Sequence, residues 1–178
     1  MVQDTRIRTI VADPPWNERG GGKIKRGADK HYSLMKRDGI AEVMGTWIEE
    51  EELHENLHLY LWVTNNFLAD GMWVVNQLGF RYITNLVWAK PSFGLGRYFR
   101  GQHELCLFAT KGRGFDNRTE ANDVASLIEA PKRLHSQKPD EFYQMVEKRS
   151  KGRYLELFSR RTPKKGWTMK GNQIGIIK

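Results

Sequence analysis

The 178-residue sequence holds one cysteine, six prolines and no long apolar run. The lone Cys106 excludes an internal disulfide, and nothing approaches the ~18 consecutive apolar residues that a membrane-spanning helix needs. The opening Met1-Val2-Gln3-Asp4 lacks the basic and apolar regions of a secretory leader. A reducing cytoplasm, bacterial or viral, is therefore the expected location. His31, His54, His58, His103 and His135 are scattered and have no spaced cysteine partners, so no metal is expected. Acidic residues are in deficit: 21 Asp and Glu face 29 Lys and Arg, a net charge of +8 that points to an anionic partner. There is no repeat, Pro/Ser-rich linker or low-complexity block, and the length fits one domain over residues 1–178. Such a chain buries roughly 70% of its unfolded surface without staples.

What is present reads as alternating strands and helices. Arg6 to Ala12 is a β-branched run that stops at Asp13-Pro14-Pro15-Trp16, where two prolines forbid further ladder pairing. Residues 17–31 carry four glycines and five basic against two acidic residues, with no apolar period, and read as a mobile basic loop. Leu57 to Thr64 is a second strand. A helix from Asn66, with Phe67, Leu68, Met72, Val75 and Leu78 facing inward, closes at Gly79 as a left-handed cap. Strands follow at Arg81 to Ala89, His103 to Thr110 and, more weakly, Val124 to Ile128. Pro139 opens a helix with Phe142, Tyr143 and Val146 inward, and the last clear strand is Tyr154 to Phe158. The acidic run Glu49 to Glu52 reads as a solvated helix face. The class is α/β with a mostly parallel sheet.

In such sheets ligands bind beyond the carboxyl ends of the strands, where Asp13-Pro14-Pro15-Trp16 falls. The bland account is a strand terminator with Trp16 as a core plug. The chemical account is more specific. A carboxylate acceptor, the Pro14 carbonyl with no competing local N–H, and a flat aromatic face suit a planar ring bearing an exocyclic amine. That amine is a poor nucleophile because its lone pair is delocalised. If Asp13 and the Pro14 carbonyl each accept one N–H, the nitrogen is drawn toward tetrahedral geometry and can attack a methyl group, with Trp16 stacked on the ring.

These residues resemble the N6-adenine methyltransferases with an Asp-Pro-Pro-Trp motif, whose eukaryotic members include the messenger-RNA adenosine methyltransferases. The resemblance runs through Tyr32-Ser33-Leu34-Met35, Leu61-Trp62-Val63-Thr64, Val87-Trp88-Ala89-Lys90, the Gly94/Gly96/Arg97 loop with His103-Glu104, His135-Ser136-Gln137-Lys138-Pro139, Glu156-Leu157-Phe158-Ser159-Arg160 and Gly166-Trp167 with Gly171-Asn172-Gln173. It implies a Rossmann-like, S-adenosylmethionine-dependent domain of compact bacterial or phage type, with the catalytic half first and the cofactor half last. Asp13, Pro14, Pro15 and Trp16 are then the catalytic set. Glu156, Phe158, Arg160, Asn172 and Gln173 supply acceptors, a cation and an aromatic wall for the cofactor, joined by Asp13, Ser136 and Lys138. Lys138 also fits an exposed first-turn residue.

Residues 90–118 carry six basic against two acidic residues, interleaved with Trp88, Phe93, Tyr98 and Phe99, which suits a sugar-phosphate backbone with splayed bases. The expected substrate-binding residues are Lys23, Lys25, Arg26, Tyr32, Lys90, Arg97, Arg100 and His103, and the 17–31 loop is expected to close over a bound nucleotide. His103-Glu104 fits either a substrate-orienting pair or a structural one. The target adenine must be flipped or single-stranded. DNA is the expected polymer, by analogy with compact relatives, and RNA the alternative. A short recognition sequence or a homodimer is expected. A cytosine-N4 methyltransferase, an inactive nucleic-acid-binding partner and a plain RNA-binding protein remain open.

Overall fold

A computed structural model describes residues 4–17, 34–94, 98–133 and 137–171. The elements are β1 (Ile7–Ala12), α1 (Arg37–Glu49), β2 (Leu53–Val63), α2 (Leu68–Gln77), β3 (Arg81–Ala89), β4 (His103–Lys111), β5 (Leu127–Glu129), α3 (Asp140–Arg149), β6 (Tyr154–Leu157) and β7 (Trp167–Lys170). The strands form one sheet in the order β5-β3-β4-β2-β1-β6-β7. β1 runs parallel to β2 and β6, β3 to β5, and β6 to β7, while β4 is antiparallel to both neighbours. Only β4 is reversed, as expected of a mostly parallel, Rossmann-like sheet.

The central strands are apolar on both faces because both are covered. Ile10, Ala12, Leu59, Leu61, Leu107 and Leu155 pack with Ile40, Met44 and Ile48 of α1 and Val74 and Val75 of α2. Val11, Tyr60, Trp62, Trp88 and Cys106 pack on the opposite face with Phe142, Tyr143 and Val146 of α3. Ile40, Met44 and Ile48 recur at four-residue intervals, which gives α1 its buried stripe. In α3, Asp140 and Glu141 occupy the first turn and Lys148 and Arg149 the last, complementing the helix dipole.

Two helix expectations change. Residues Asn65–Phe67 form a 3-10 turn before α2, and the inner face of α2 is Gly71, Val74 and Val75, with Leu68 at the surface. The physical reason is close approach: a Cβ on Gly71 would lie 2.4 Å from Val63 Cγ1, so the helix turns its glycine to the sheet. Gly79 does adopt a left-handed φ of 73°, and Phe80 N–H returns to the Val75 carbonyl to end the helix. Within Glu49 to Glu52, Glu49 ends α1, and Glu50 and Glu51 hold the ammonium of Lys170 from the end of β7. Among the described residues, no helix is long and apolar enough to cross a membrane.

Candidate active site at the carboxyl edge of the sheet

The connection from β1 leads to β2 on one side, and β6 lies on the other side with β7 beyond it, so chain direction diverges between β1 and β6. Crevices of open α/β sheets form at such points. Asp13 follows β1 there, and Phe158 to Arg160 follow β6. Because β4 is reversed, its first residues, His103 and Glu104, reach the same edge as the last residues of β3.

Four charges of alternating sign meet at that edge. Asp13 Oδ2 lies 2.9 Å from Lys138 Nζ, and Lys138 Nζ lies 3.2 Å from Glu104 Oε2. Glu104 Oε1 in turn accepts a hydrogen bond from Lys90 Nζ. Both ammonium groups sit over indole rings, Lys138 5.1 Å from the Trp62 centroid and Lys90 4.4 Å from that of Trp88. Burial alone would raise the Glu104 pKa, but Lys138 and Lys90 outweigh it and hold the carboxyl at about 2. Burial would also discharge Lys138, yet Asp13 and Glu104 more than offset this and keep its pKa above that of an ordinary lysine. Burial is the largest influence on Asp13 and raises its carboxyl above the ordinary range, while Lys138 draws it partly back. With 30% of its side chain open and an ammonium in contact, it is an acceptor facing the crevice.

The tetrapeptide differs from expectation in two respects. The Pro14 carbonyl already accepts the Trp16 N–H at 2.9 Å, because the chain folds straight back after the second proline. Its second lone pair is what remains for a substrate. Pro15 is bonded similarly, its carbonyl taking the Met35 N–H at 2.9 Å. Trp16 is not a stacking platform: it is 4% exposed, its ring stacks on Phe67 at 5.8 Å, and its indole N–H donates to the Trp62 carbonyl at 2.8 Å. It plugs the core beneath Asp13.

Four residues sit differently from expectation. Lys90 is held in the ion pair with Glu104, so its charge is not offered to phosphate. His103 is exposed and does not pair with Glu104, whose partners are the two lysines. Lys138 is buried just before α3, not an exposed first-turn residue. Trp88 is buried also, its indole N–H bonded to the Ala130 carbonyl, whereas Phe93, Tyr98 and Phe99 are 66%, 95% and 89% exposed. They flank a hairpin whose neck is closed by Lys90 N–H to the Gln102 carbonyl and Gly94 N–H to the Gly101 carbonyl. Arg100 Nε donates to the Gly94 carbonyl there.

On the β6 side, Glu156 is buried and Oε1 accepts from Tyr143 OH at 2.8 Å. Burial raises its pKa, opposed by Tyr143 and Arg161. Oε2 meets no donor in hydrogen-bonding geometry, though the Ser159 hydroxyl is near enough to draw the pKa down. Phe158 takes a left-handed φ of 59°, uncommon outside glycine and concentrated at ligand sites, and packs on Trp47 at 5.1 Å. Arg160 is half-buried, and its charge acts on Asp13. Tyr143 and Trp62 were not singled out as site residues from sequence; the inward stripe of α3 gives the face of Tyr143 but not its partner. Lys23, Lys25, Arg26, Tyr32, Arg97, Ser136, Asn172 and Gln173 lie outside the described residues, as does most of the 17–31 loop.

Chemically, the edge offers fixed acceptors above an aromatic floor. It does not offer a cysteine nucleophile, since Cys106 is buried and its thiol is pushed well up by burial. Among the described residues, no three His, Cys, Asp or Glu side chains gather as a metal site.

Comparison with known proteins agrees with this geometry. The chain is 28% identical over 179 residues to a probable N(6)-adenosine-methyltransferase MT-A70-like protein of Oryza sativa subsp. japonica, covering 95% of this chain and 23% of that protein. It is 28% identical over 191 residues to the human N(6)-adenosine-methyltransferase catalytic subunit METTL3, covering 97% and 29%, and 27% identical over 185 residues to a Drosophila melanogaster MT-A70-like protein, covering 97% and 28%. The chain thus spans under a third of the length of these relatives. The MT-A70 family model matches residues 7–173. With that match over nearly its whole length, the chain belongs to the MT-A70 family.

Proposed function

We propose that this chain transfers a methyl group from S-adenosylmethionine to the N6 amine of adenosine in RNA. The observation that carries the proposal is the Asp13 carboxyl group, met at Oδ2 by Lys138 at the point where the sheet diverges. The polymer differs from the one expected above. DNA rested on analogy with compact relatives, whereas the relatives matched here are named for adenosine, the ribonucleoside.

The residues present fit the cofactor. Glu156 Oε2 is a buried acceptor with no donor in good hydrogen-bonding geometry, a place that suits a ribose hydroxyl, and Phe158 and Arg160 supply a ring and a cation just after the same strand. When bound, S-adenosylmethionine supplies an electrophilic methyl group. The chain's own residues prepare the nucleophile. Asp13 accepts one amine N–H, and the remaining lone pair of the Pro14 carbonyl accepts the other. The nitrogen lone pair would thereby be freed from the ring, and Asp13 would stabilise the positive charge that develops as the N–C bond forms and the methyl–sulfur bond breaks, its electron pair returning to sulfur. The surplus proton then sits against a carboxylate open to solvent.

The hairpin supports a single-stranded polymer. Phe93, Tyr98 and Phe99 are exposed beside Arg100, the combination on which successive bases stack along a tracked backbone.

The test is methyl-labelled cofactor with matched RNA and DNA oligomers, followed by nucleoside analysis. Label in N6-methyladenosine from RNA is expected. Transfer to deoxyadenosine in preference would restore the DNA reading, label on cytosine would overturn the adenine assignment, and binding without transfer would mark an inactive partner.

A further inference from the structure

Asp13 explains the chemistry, but Lys90 is linked to it only through three successive ion pairs and is not needed to touch substrate. We propose that Lys90 is a positioning residue for methyl transfer, acting on Asp13 through Glu104 and Lys138. The proposal rests on the function given above.

Each contact in the row fixes the next. Lys90 takes Glu104 Oε1 and Lys138 takes Oε2, so neither oxygen is left to draw the other cation out of place. Lys138 is thereby held between two carboxylates, 3.2 Å from Glu104 and 2.9 Å from Asp13. It meets Asp13 at Oδ2. The indole rings of Trp88 and Trp62 prevent the two ammonium groups from dropping toward the core. The row draws on four separate segments: the loop after β1, the residue after β3, the second residue of β4 and the residue two before α3. A charge at its outer end therefore sets the orientation of a carboxylate at its inner end.

Lost charge must propagate with alternating sign, which makes the idea testable. The charged groups that act on Asp13 are Lys138 before α3, Glu104 on β4, Arg160 after β6 and Glu156 on β6. Lys90→Met removes a positive charge while retaining an apolar stem over Trp88. The surroundings of Asp13 become more negative, its protonation becomes easier, and the acid limb of the kcat profile moves to higher pH. Glu104→Gln removes a negative charge and moves the same limb to lower pH. A residue with a merely structural role has no reason to produce opposite shifts.

The experiment measures kcat, both KM values and the pH profile for the parent, Lys90→Met, Lys90→Arg and Glu104→Gln, with a ¹³C NMR titration of the Asp13 carboxyl and a thermal melt of each. Lys90→Met is expected to lower kcat by about 10- to 100-fold, the scale of a misplaced catalytic group. The KM for S-adenosylmethionine should change less than the KM for RNA, and Lys90→Arg should restore most of kcat. Opposite displacements of both the kcat limb and the Asp13 titration would establish the row. Displacements in the same direction, an unmoved limb in an active parent, or a loss traced wholly to unfolding would overturn it. A parent that methylates neither polymer would overturn the functional reading first, and this inference with it.

Discussion

Lys138 Nζ stands between two carboxylates, 2.9 Å from Asp13 Oδ2 and 3.2 Å from Glu104 Oε2. One ammonium thus serves both the carboxyl group that follows β1 and the acid that anchors the row.

Asp13→Ala should abolish methyl transfer without unfolding the protein, because the acceptor matters most as charge develops on the amine. Lys138, still held by Glu104, keeps the local structure. Single-turnover kinetics beside circular dichroism check this, and near-normal turnover would remove Asp13 from the mechanism.

Trp16→Ala should cost about 3–5 kcal/mol of stability, the usual scale for deleting a buried indole. Trp16→Phe keeps most of the volume but strands the Trp62 carbonyl, and should cost ~1–2 kcal/mol. Denaturant titrations measure both. Loss of activity in Trp16→Ala at unchanged stability would reinstate the ring as a stacking surface.

His58 makes the fold acid-sensitive within a defined window. Its Nε2 lies 2.7 Å from the Gly114 carbonyl, so Nε2 carries the proton and Nδ1 must accept from Ser150, whose oxygen accepts in turn from Tyr60 OH. Burial lowers its pKa from 6.5 to about 4. Between those values the unfolded chain binds a proton that the folded one does not, so stability is full above pH ~6.5 and declines toward pH ~4. Midpoints of urea unfolding against pH, with the His58 imidazole resonances, check the slope; a His58 titration near 6.5 would contradict it.

Glu104 contributes in a lower window. Its carboxyl falls from an ordinary 4.5 to about 2, so its stabilisation is present above pH ~4.5 and is lost as pH drops through about 2. In Glu104→Gln the stability curve between those values should flatten, and a slope unchanged from the parent would show that the pair adds nothing.

Alanine at Phe93, Tyr98 and Phe99 should weaken RNA binding by ~1–3 kcal/mol for each stacked base, with thermal stability and the salt dependence of binding unchanged. Fluorescence anisotropy across a salt series tests this. Unaltered affinity with a change in oligomeric state would assign the surface to a protein partner.

Several elements are legible from residues alone because their signal is local. Arg81–Ala89 is bounded by Gly79 on one side and Pro91 on the other, and the observed strand has those limits. Asp13 is placed by the prolines that end β1. α1 is obscured because Gly39 and Gly45 interrupt it and no side-chain cap marks its start; its stripe is clear only once Ile40, Met44 and Ile48 meet the sheet. β7 has four residues and an edge position, too short for a period-2 pattern to stand out. The partners of Lys90 and Trp88 are not legible for a different reason. A basic or aromatic residue near a cleft has the same letter whether it faces solvent or a carboxylate, and only the pairing of β3 with the reversed β4 decides which.

That reversal also determines what kind of connection spans the cleft. Two parallel neighbours would have to be joined by a crossover passing behind the sheet, but β3 and β4 are joined by a hairpin on the cleft side. Its neck is closed by main-chain bonds at Lys90 and Gly94, so the tip beyond can lengthen, shorten or change composition while the charge row and helical layers stay in register. The exposed surface can diverge there as a replaceable cassette, leaving the sheet and its row of charges as a common chassis.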